Sequence, residues 1–199
     1  MKLRSILPLL LISIVLAGCS GFQQADAPAE RQLDWAEYRQ YMARLNHWEL
    51  LGKIGIRSDA EALSASMQWQ QQQSRYAIQL RGPLGQGGAD IQGDPRQVSI
   101  EIPGEGRYEA DNPELLLQQT TGWQLPISDI QYWIRGIPSP QAPFEQVIEK
   151  NRLQTLDQNG WHIQYVRYQR FGVLLPSKIK LSRGQIRITL VVKKWQISA

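Results

Sequence analysis

Most of this chain alternates apolar and polar residues with a period of two, and the alternation halts once, between residues 111 and 140, before resuming. In 48–56, Trp48, Leu50, Gly52, Ile54 and Ile56 fall on one side, opposed by Glu49, Lys53 and, just beyond, Arg57. In 63–69, Leu63, Ala65, Met67 and Trp69 alternate with Ser64, Ser66 and Gln68. Tyr76, Ile78 and Leu80 alternate with Arg75, Ala77 and Gln79, and Val98, Ile100 and Ile102 with Gln97, Ser99 and Glu101. Similar runs return at 161–165, 178–181 and 186–192, with Gly160 and Gly184 at turns. Short alternating runs bounded by Gly, Pro, Asp or Asn are the signature of an antiparallel meander with one apolar face.

Helical spacing interrupts this pattern. Trp35, Tyr38, Met42 and Leu45 define an amphipathic helix over 34–46, with Asp34 as its N-cap. Asn112-Pro113 opens a second helix over 114–121, which ends at Gly122–Pro126. A third, over 127–135, carries Ile127, Ile130, Trp133 and Ile134 along one stripe and stops at Gly136–Pro140. Two short helices inserted between halves of one curved sheet would lie over its open face. The result is either a packed core or a lidded cavity, and the pattern admits both.

The N-terminus specifies processing. Lys2 and Arg4 precede an apolar run over 6–16, then Leu16-Ala17-Gly18-Cys19-Ser20. A basic start, a short apolar stretch and small residues before a cysteine describe a bacterial lipoprotein signal. Eleven residues containing Pro8 are too few to span a bilayer, which takes about twenty. The expected organisation is a cleaved signal peptide over 1–18, an acylated Cys19 with a flexible tether over 19–31, and a single domain over 32–199. Cys19 is the only cysteine, so the expected mature fold rests on packing alone. Acyl burial at about 0.8 kcal/mol per CH₂ makes such an anchor effectively permanent. Ser20 stands where Asp would signal inner-membrane retention, which points to the periplasmic face of the outer membrane.

Without Lys2 and Arg4 the mature chain has 20 basic against 18 acidic side chains, a balance of only +2. The longest run of Lys or Arg is the pair Lys193-Lys194, so nucleic acid is not an expected partner. Seven Trp and seven Tyr against three Phe suit a half-wet apolar surface as well as a core. Catalytic, cofactor and metal sites are not expected. The glycine clusters 82–88 and 104–106 do not match G-x-G-x-x-G, since Asp90 and Glu109 stand where its last glycine belongs. His47 and His162 are the two histidines, each at a strand or its start, and Asp129 and Glu145 carry no distinguishing context.

The loop after 76–80 is unusual, because Pro83-Leu84-Gly85 places an apolar residue at a turn. Leu84 either tucks into the core or forms a small finger that touches lipid. Burying one Leu contributes roughly 1.5–3 kcal/mol, enough for transient contact and too little for anchoring.

Over essentially its whole length the chain resembles the LolB family, outer-membrane lipoprotein receptors of Gram-negative bacteria. The resemblance rests on the ordered set formed by the lipobox, Trp48-x₃-Gly52, Trp69-Gln70-Gln71, Pro83-Leu84-Gly85, Tyr108-x-Ala110-Asp111 and Leu125-Pro126. It continues through Trp133-Ile134-x-Gly136-x-Pro138, Gln158-Asn159-Gly160-Trp161, Leu175-Pro176 and the strand ending at Trp195. It implies a mainly β fold, an unclosed antiparallel β-barrel of about 11 strands around an apolar cavity, with an N-terminal helix and short lid helices. It also implies transfer of lipoprotein acyl chains from the periplasmic carrier LolA into outer-membrane phospholipid, by a monomer, with Pro83, Leu84 and Gly85 as the membrane-insertion loop. Alternation combined with that architecture nominates Trp48, Ile54, Ile56, Met67, Trp69, Ile78, Leu80, Val98 and Ile100 as cavity wall. Leu116, Ile130, Trp133 and Ile134 are the expected lid. The alternative readings are a non-enzymatic envelope scaffold with a filled core, and a lipid-modifying enzyme that would have to use His47 or His162 as its base.

Overall fold

A computed structural model describes residues 33–197 apart from 60, 86, 123, 124 and 141. The expected signal peptide, Cys19 and the tether lie outside the described residues. The described residues begin with α1 (Trp35–Arg44), followed by β1 (His47–Arg57), β2 (Ala62–Gln72), β3 (Arg75–Arg81), β4 (Gly88–Gly93), β5 (Val98–Ile102) and β6 (Gly106–Ala110). After α2 (Pro113–Thr121) and α3 (Ile127–Trp133) come β7 (Phe144–Glu149), β8 (Arg152–Gln158), β9 (Trp161–Phe171), β10 (Val173–Arg183) and β11 (Ile186–Ile197). The strands form one antiparallel sheet ordered β6-β5-β4-β3-β2-β1-β11-β10-β9-β8-β7. β6 and β7 remain edges, so the barrel is not closed.

Parity decides the faces. Trp48, Leu50, Gly52, Ile54 and Ile56 of β1 are buried, while Leu51, Lys53 and Arg57 are exposed. The buried residues of every long strand join those of α1, α2 and α3 in one apolar cluster. Gly52 is required at a bulge, because a Cβ there would stand 2.5 Å from the Val191 carbonyl oxygen. Leu63 shares the inward parity of Met67 but is exposed, since β2 begins only one residue before it, at the rim.

Capping explains the helix starts. The Asp34 carboxylate accepts from the Glu37 amide at 2.9 Å, and Glu37 accepts from the Asp34 amide at 3.1 Å, a reciprocal capping box. Asn112 accepts from the Leu115 amide at 2.9 Å, and Pro113 follows as the first helical residue. α3 stops at Trp133, two residues short of the expected 135, in a tight turn where the Gly136 amide bonds the Trp133 carbonyl.

Buried Tyr38 and Tyr165 brace the C-terminal end of α3, and half-buried Tyr168 braces β8. Tyr38 donates to the Arg135 carbonyl at 2.7 Å, Tyr165 to that of Trp133 at 3.0 Å, and Tyr168 to that of Leu153 at 2.9 Å. Burial pushes all three phenols, and that of Tyr76, well above their ordinary value. Burial also lowers the Arg135 guanidinium to about 10. A phenol whose pKa is raised by folding contributes stability that is complete below its unfolded value near 10 and is lost as pH climbs beyond it. The lowered guanidinium works in the opposite direction, but it is one group against four. At about 1.4 kcal/mol per group per pH unit, stability should fall steeply above about pH 10. Phenolate absorbance should then appear together with loss of near-ultraviolet circular dichroism. Ionisation of Tyr38, Tyr76, Tyr165 and Tyr168 while the fold persists would contradict this.

Candidate functional site

The expected wall residues all lie on the inner face. Trp48, Ile54, Ile56, Met67, Trp69, Ile78, Val98 and Ile100 are buried, and Leu80 is half-buried at the end of its strand. Leu116, Ile130, Trp133 and Ile134, the expected lid, are buried against the same cluster. On this face Trp48 lies tilted against Trp69 and edge-on to Trp195, with ring centroids 5.5 and 5.2 Å apart. The indole N–H of Trp48 is buried without a hydrogen-bond acceptor.

The two helices between β6 and β7 are held differently among the described residues. Downstream of α3, Gln158 of β8 binds the chain with its whole carboxamide. Its oxygen accepts from Trp133 Nε1 at 2.8 Å and the Ser139 amide at 2.9 Å, and its nitrogen donates to the carbonyls of Ser139 and Ala142, both at 2.8 Å. Arg135 then donates to the Met42 and Leu45 carbonyls at 2.7 and 2.6 Å, capping the C-terminal end of α1. By contrast α2 rests on β5 and β6 mainly through Leu116 and Leu117. Its polar tie to α3 is the Ser128 amide donating to Glu114 at 3.0 Å. Among the described residues, α2 therefore shows fewer polar ties to its neighbours than the segment from Trp133 to Ala142.

Leu84 lies at the opposite extreme of exposure. It is 99% accessible, in a single helical turn over Pro83–Gly85. Its φ of 58° places a branched side chain in the left-handed region, a conformation that costs about 1–2 kcal/mol outside glycine. The loop closes on itself through Gly85 N to Gly82 O at 3.2 Å and Gly82 N to Gly87 O at 3.4 Å. A strained backbone thus holds an apolar side chain in solvent, which packing would never select.

The remaining candidates do not converge. His47 bonds Asn46 at one end of the sheet, and His162 bonds Asp157 at 2.6 Å at the other. Asp129 accepts from Asn159 at 2.7 Å. Among the described residues no group of three His, Cys, Asp or Glu could hold a metal. The sequence reading missed Trp195, Arg135 and Gln158. Trp195 turns inward only because the β1–β11 bulge shifts its parity relative to Val192.

The model for the family "Outer membrane lipoprotein LolB" matches residues 46–195. The outer-membrane lipoprotein LolB of Pseudomonas fluorescens strain Pf0-1 is 40% identical over 98% of this chain and 97% of its own length. That of Stutzerimonas stutzeri strain A1501 is 39% identical over 93% of this chain and 92% of its own. Among solved structures, a DUF1329-family protein from Desulfovibrio piger aligns with a TM-score of 0.49 and 8% identity, covering 85% of this chain and 95% of that one. With near-complete coverage at this identity and a match across almost the whole described domain, the chain belongs to the outer-membrane lipoprotein LolB family.

Proposed function

We propose that the chain is the outer-membrane receptor of lipoprotein sorting, anchored through acylated Cys19 on the periplasmic face. It accepts lipoprotein acyl chains from the carrier LolA between α2 and the inner face of the sheet, then releases them into the inner leaflet. The observation that carries this reading is the continuous apolar face against which α2 buries Leu116 and Leu117. An acyl chain can replace those contacts at little net cost, because it offers the same apolar surface that α2 gives up. The unpaired indole N–H of Trp48 supports the reading too, since an ester or amide carbonyl of the cargo would satisfy a donor whose isolation costs about 1–3 kcal/mol.

The reading calls for no catalysis and no nucleotide. Cargo moves down an affinity gradient, and each 1.4 kcal/mol of preference over the carrier gives a tenfold bias. The bilayer is the final sink. The test is transfer of an acylated lipoprotein from loaded carrier into liposomes, with and without this protein. Transfer that depends on its presence is the expected result. No transfer from a carrier proven competent would favour the scaffold reading, with the apolar strands as ordinary core.

A further inference from the structure

We propose that a cationic groove on the outer face of the sheet binds the phosphoglycerol headgroup of an anionic phospholipid. The groove has a volume of about 750 Å³ and runs across β2, β1, β11, β10 and β9. Its floor is Gly55, which faces Ser64 on one neighbouring strand and Thr189 on the other. With no side chain at Gly55, the pleat sinks there between flanking hydroxyls.

Charge defines what the groove accepts. Arg57, Lys180 and Arg187 line it, and no Asp or Glu does. Arg57 and Arg187 are direct cross-strand partners, and like charges directly opposite are destabilising. Neither forms an ion pair with a carboxylate among the described residues. Arg187 is instead oriented by the carbonyls of Gly184 and Ile186. His162 also borders the groove and bonds Asp157. Asp59 and Glu61, in the turn between β1 and β2, lie outside the lining.

Paired arginines with adjacent hydroxyls match a phosphodiester. Ser64, Ser182 and Thr189, with the Gln164 carboxamide, can meet the hydroxyls of a glycerol headgroup. Nothing in the lining offers a carboxylate to the ammonium of an ethanolamine headgroup. The site is thus built for a phosphoglycerol and against an amine.

Position adds the second argument. The turns β1–β2, β3–β4, β5–β6, β8–β9 and β10–β11 converge at one end of the antiparallel sheet. Leu84 sits in the β3–β4 turn, and Arg57, Ser182, Arg187 and His162 are within a residue or two of the strand ends there. A bilayer touched by Leu84 therefore presents its headgroups at the level of the groove. The proposal rests on that reading of Leu84.

The experiment is flotation of the mature chain bearing Cys19→Ala with vesicles of phosphatidylcholine alone, or with part replaced by phosphatidylglycerol or phosphatidylethanolamine. Phosphatidylglycerol should raise binding by about thirtyfold, at about 1 kcal/mol for each of two arginines near an anionic surface. Phosphatidylethanolamine should not. Arg57→Gln with Arg187→Gln should erase the gain, whereas Lys193→Gln with Lys194→Gln, an equal charge loss at the other end of β11, should keep it. At matched ionic strength, soluble glycerol phosphate should compete with the vesicles for the groove more strongly than chloride does, and equal effects of the two would overturn a headgroup site. Equal loss in both double variants would reduce the effect to general charge attraction and also overturn the groove. Flotation that ignores composition defeats the groove alone, while no flotation with any vesicle defeats the Leu84 reading beneath it.

Discussion

Leu84→Glu is expected to leave stability and acyl binding unchanged while slowing delivery of cargo into liposomes by about tenfold or more. The side chain is 99% accessible, so nothing in the fold depends on it. Entry of one Leu into a bilayer contributes roughly 1.5–3 kcal/mol, which alone is a factor of ten to a hundred in membrane contact. A carboxylate there loses that gain and adds the cost of desolvating a charge. Leu84→Gly sharpens the test. Glycine adopts the observed φ of 58° without penalty, so this variant should be as stable as the parent or slightly more so. It should nevertheless deliver poorly. Thermal melting, binding of a fluorescent acyl probe and liposome transfer separate the three quantities. A variant that melts early would mean that Leu84 supports the fold, and normal transfer by both variants would remove the loop from the delivery step.

The same loop shows where the sequence was legible. Alternation placed β1, β2, β3, β5 and β11 and the parts of β9 and β10 at 161–165 and 178–181, where apolar residues face inward and the residues between them are mostly more exposed, although Ser99 of β5 is buried. β6 exposes every residue except half-buried Ala110, so it leaves no apolar period to detect. β4 offers only Ala89 and Ile91 between glycines. In β8 the buried leucines, Leu153 and Leu156, are three apart because the pairing with β7 slips at Val147/Ile148, and a bulge looks like a helical step in the sequence. β7 is an edge with Phe144 and Val147 exposed. The inward orientation of the wall candidates was legible for the same reason as the strands: parity assigns a face. Parity says nothing about how a lid is fastened. Arg135 and Gln158 were unreadable because a buried polar residue is defined by partners distant in sequence, here 90 or more positions away for the bonds from Arg135 to α1.

Gln158→Glu tests that fastening directly. The wild-type carboxamide is 3% exposed and has both oxygen and nitrogen engaged. An ionised Glu would still accept from Trp133 Nε1 and the Ser139 amide. It would, however, set a carboxylate oxygen against the carbonyls of Ser139 and Ala142, which then lose their donor. Lost bonds, repulsion and an uncompensated buried charge should together cost about 3–5 kcal/mol near neutral pH, a large share of the 5–15 kcal/mol that holds a domain together. Burial raises the pKa of the new carboxyl, and its protonated form regains one donor. The lost stability should therefore return as pH falls below that raised value and vanish again as pH rises through it. Unfolding in urea at two pH values measures the difference. Gln158→Leu, which lacks both donor and acceptor, should be destabilised equally at each. If α3 is the fixed half of the lid, Gln158→Glu at neutral pH should also expose the amides of residues 133–139 to hydrogen exchange while those of α2 change little. Uniform acceleration across both helices would show that the two move as one flap, and that α2 does not open alone.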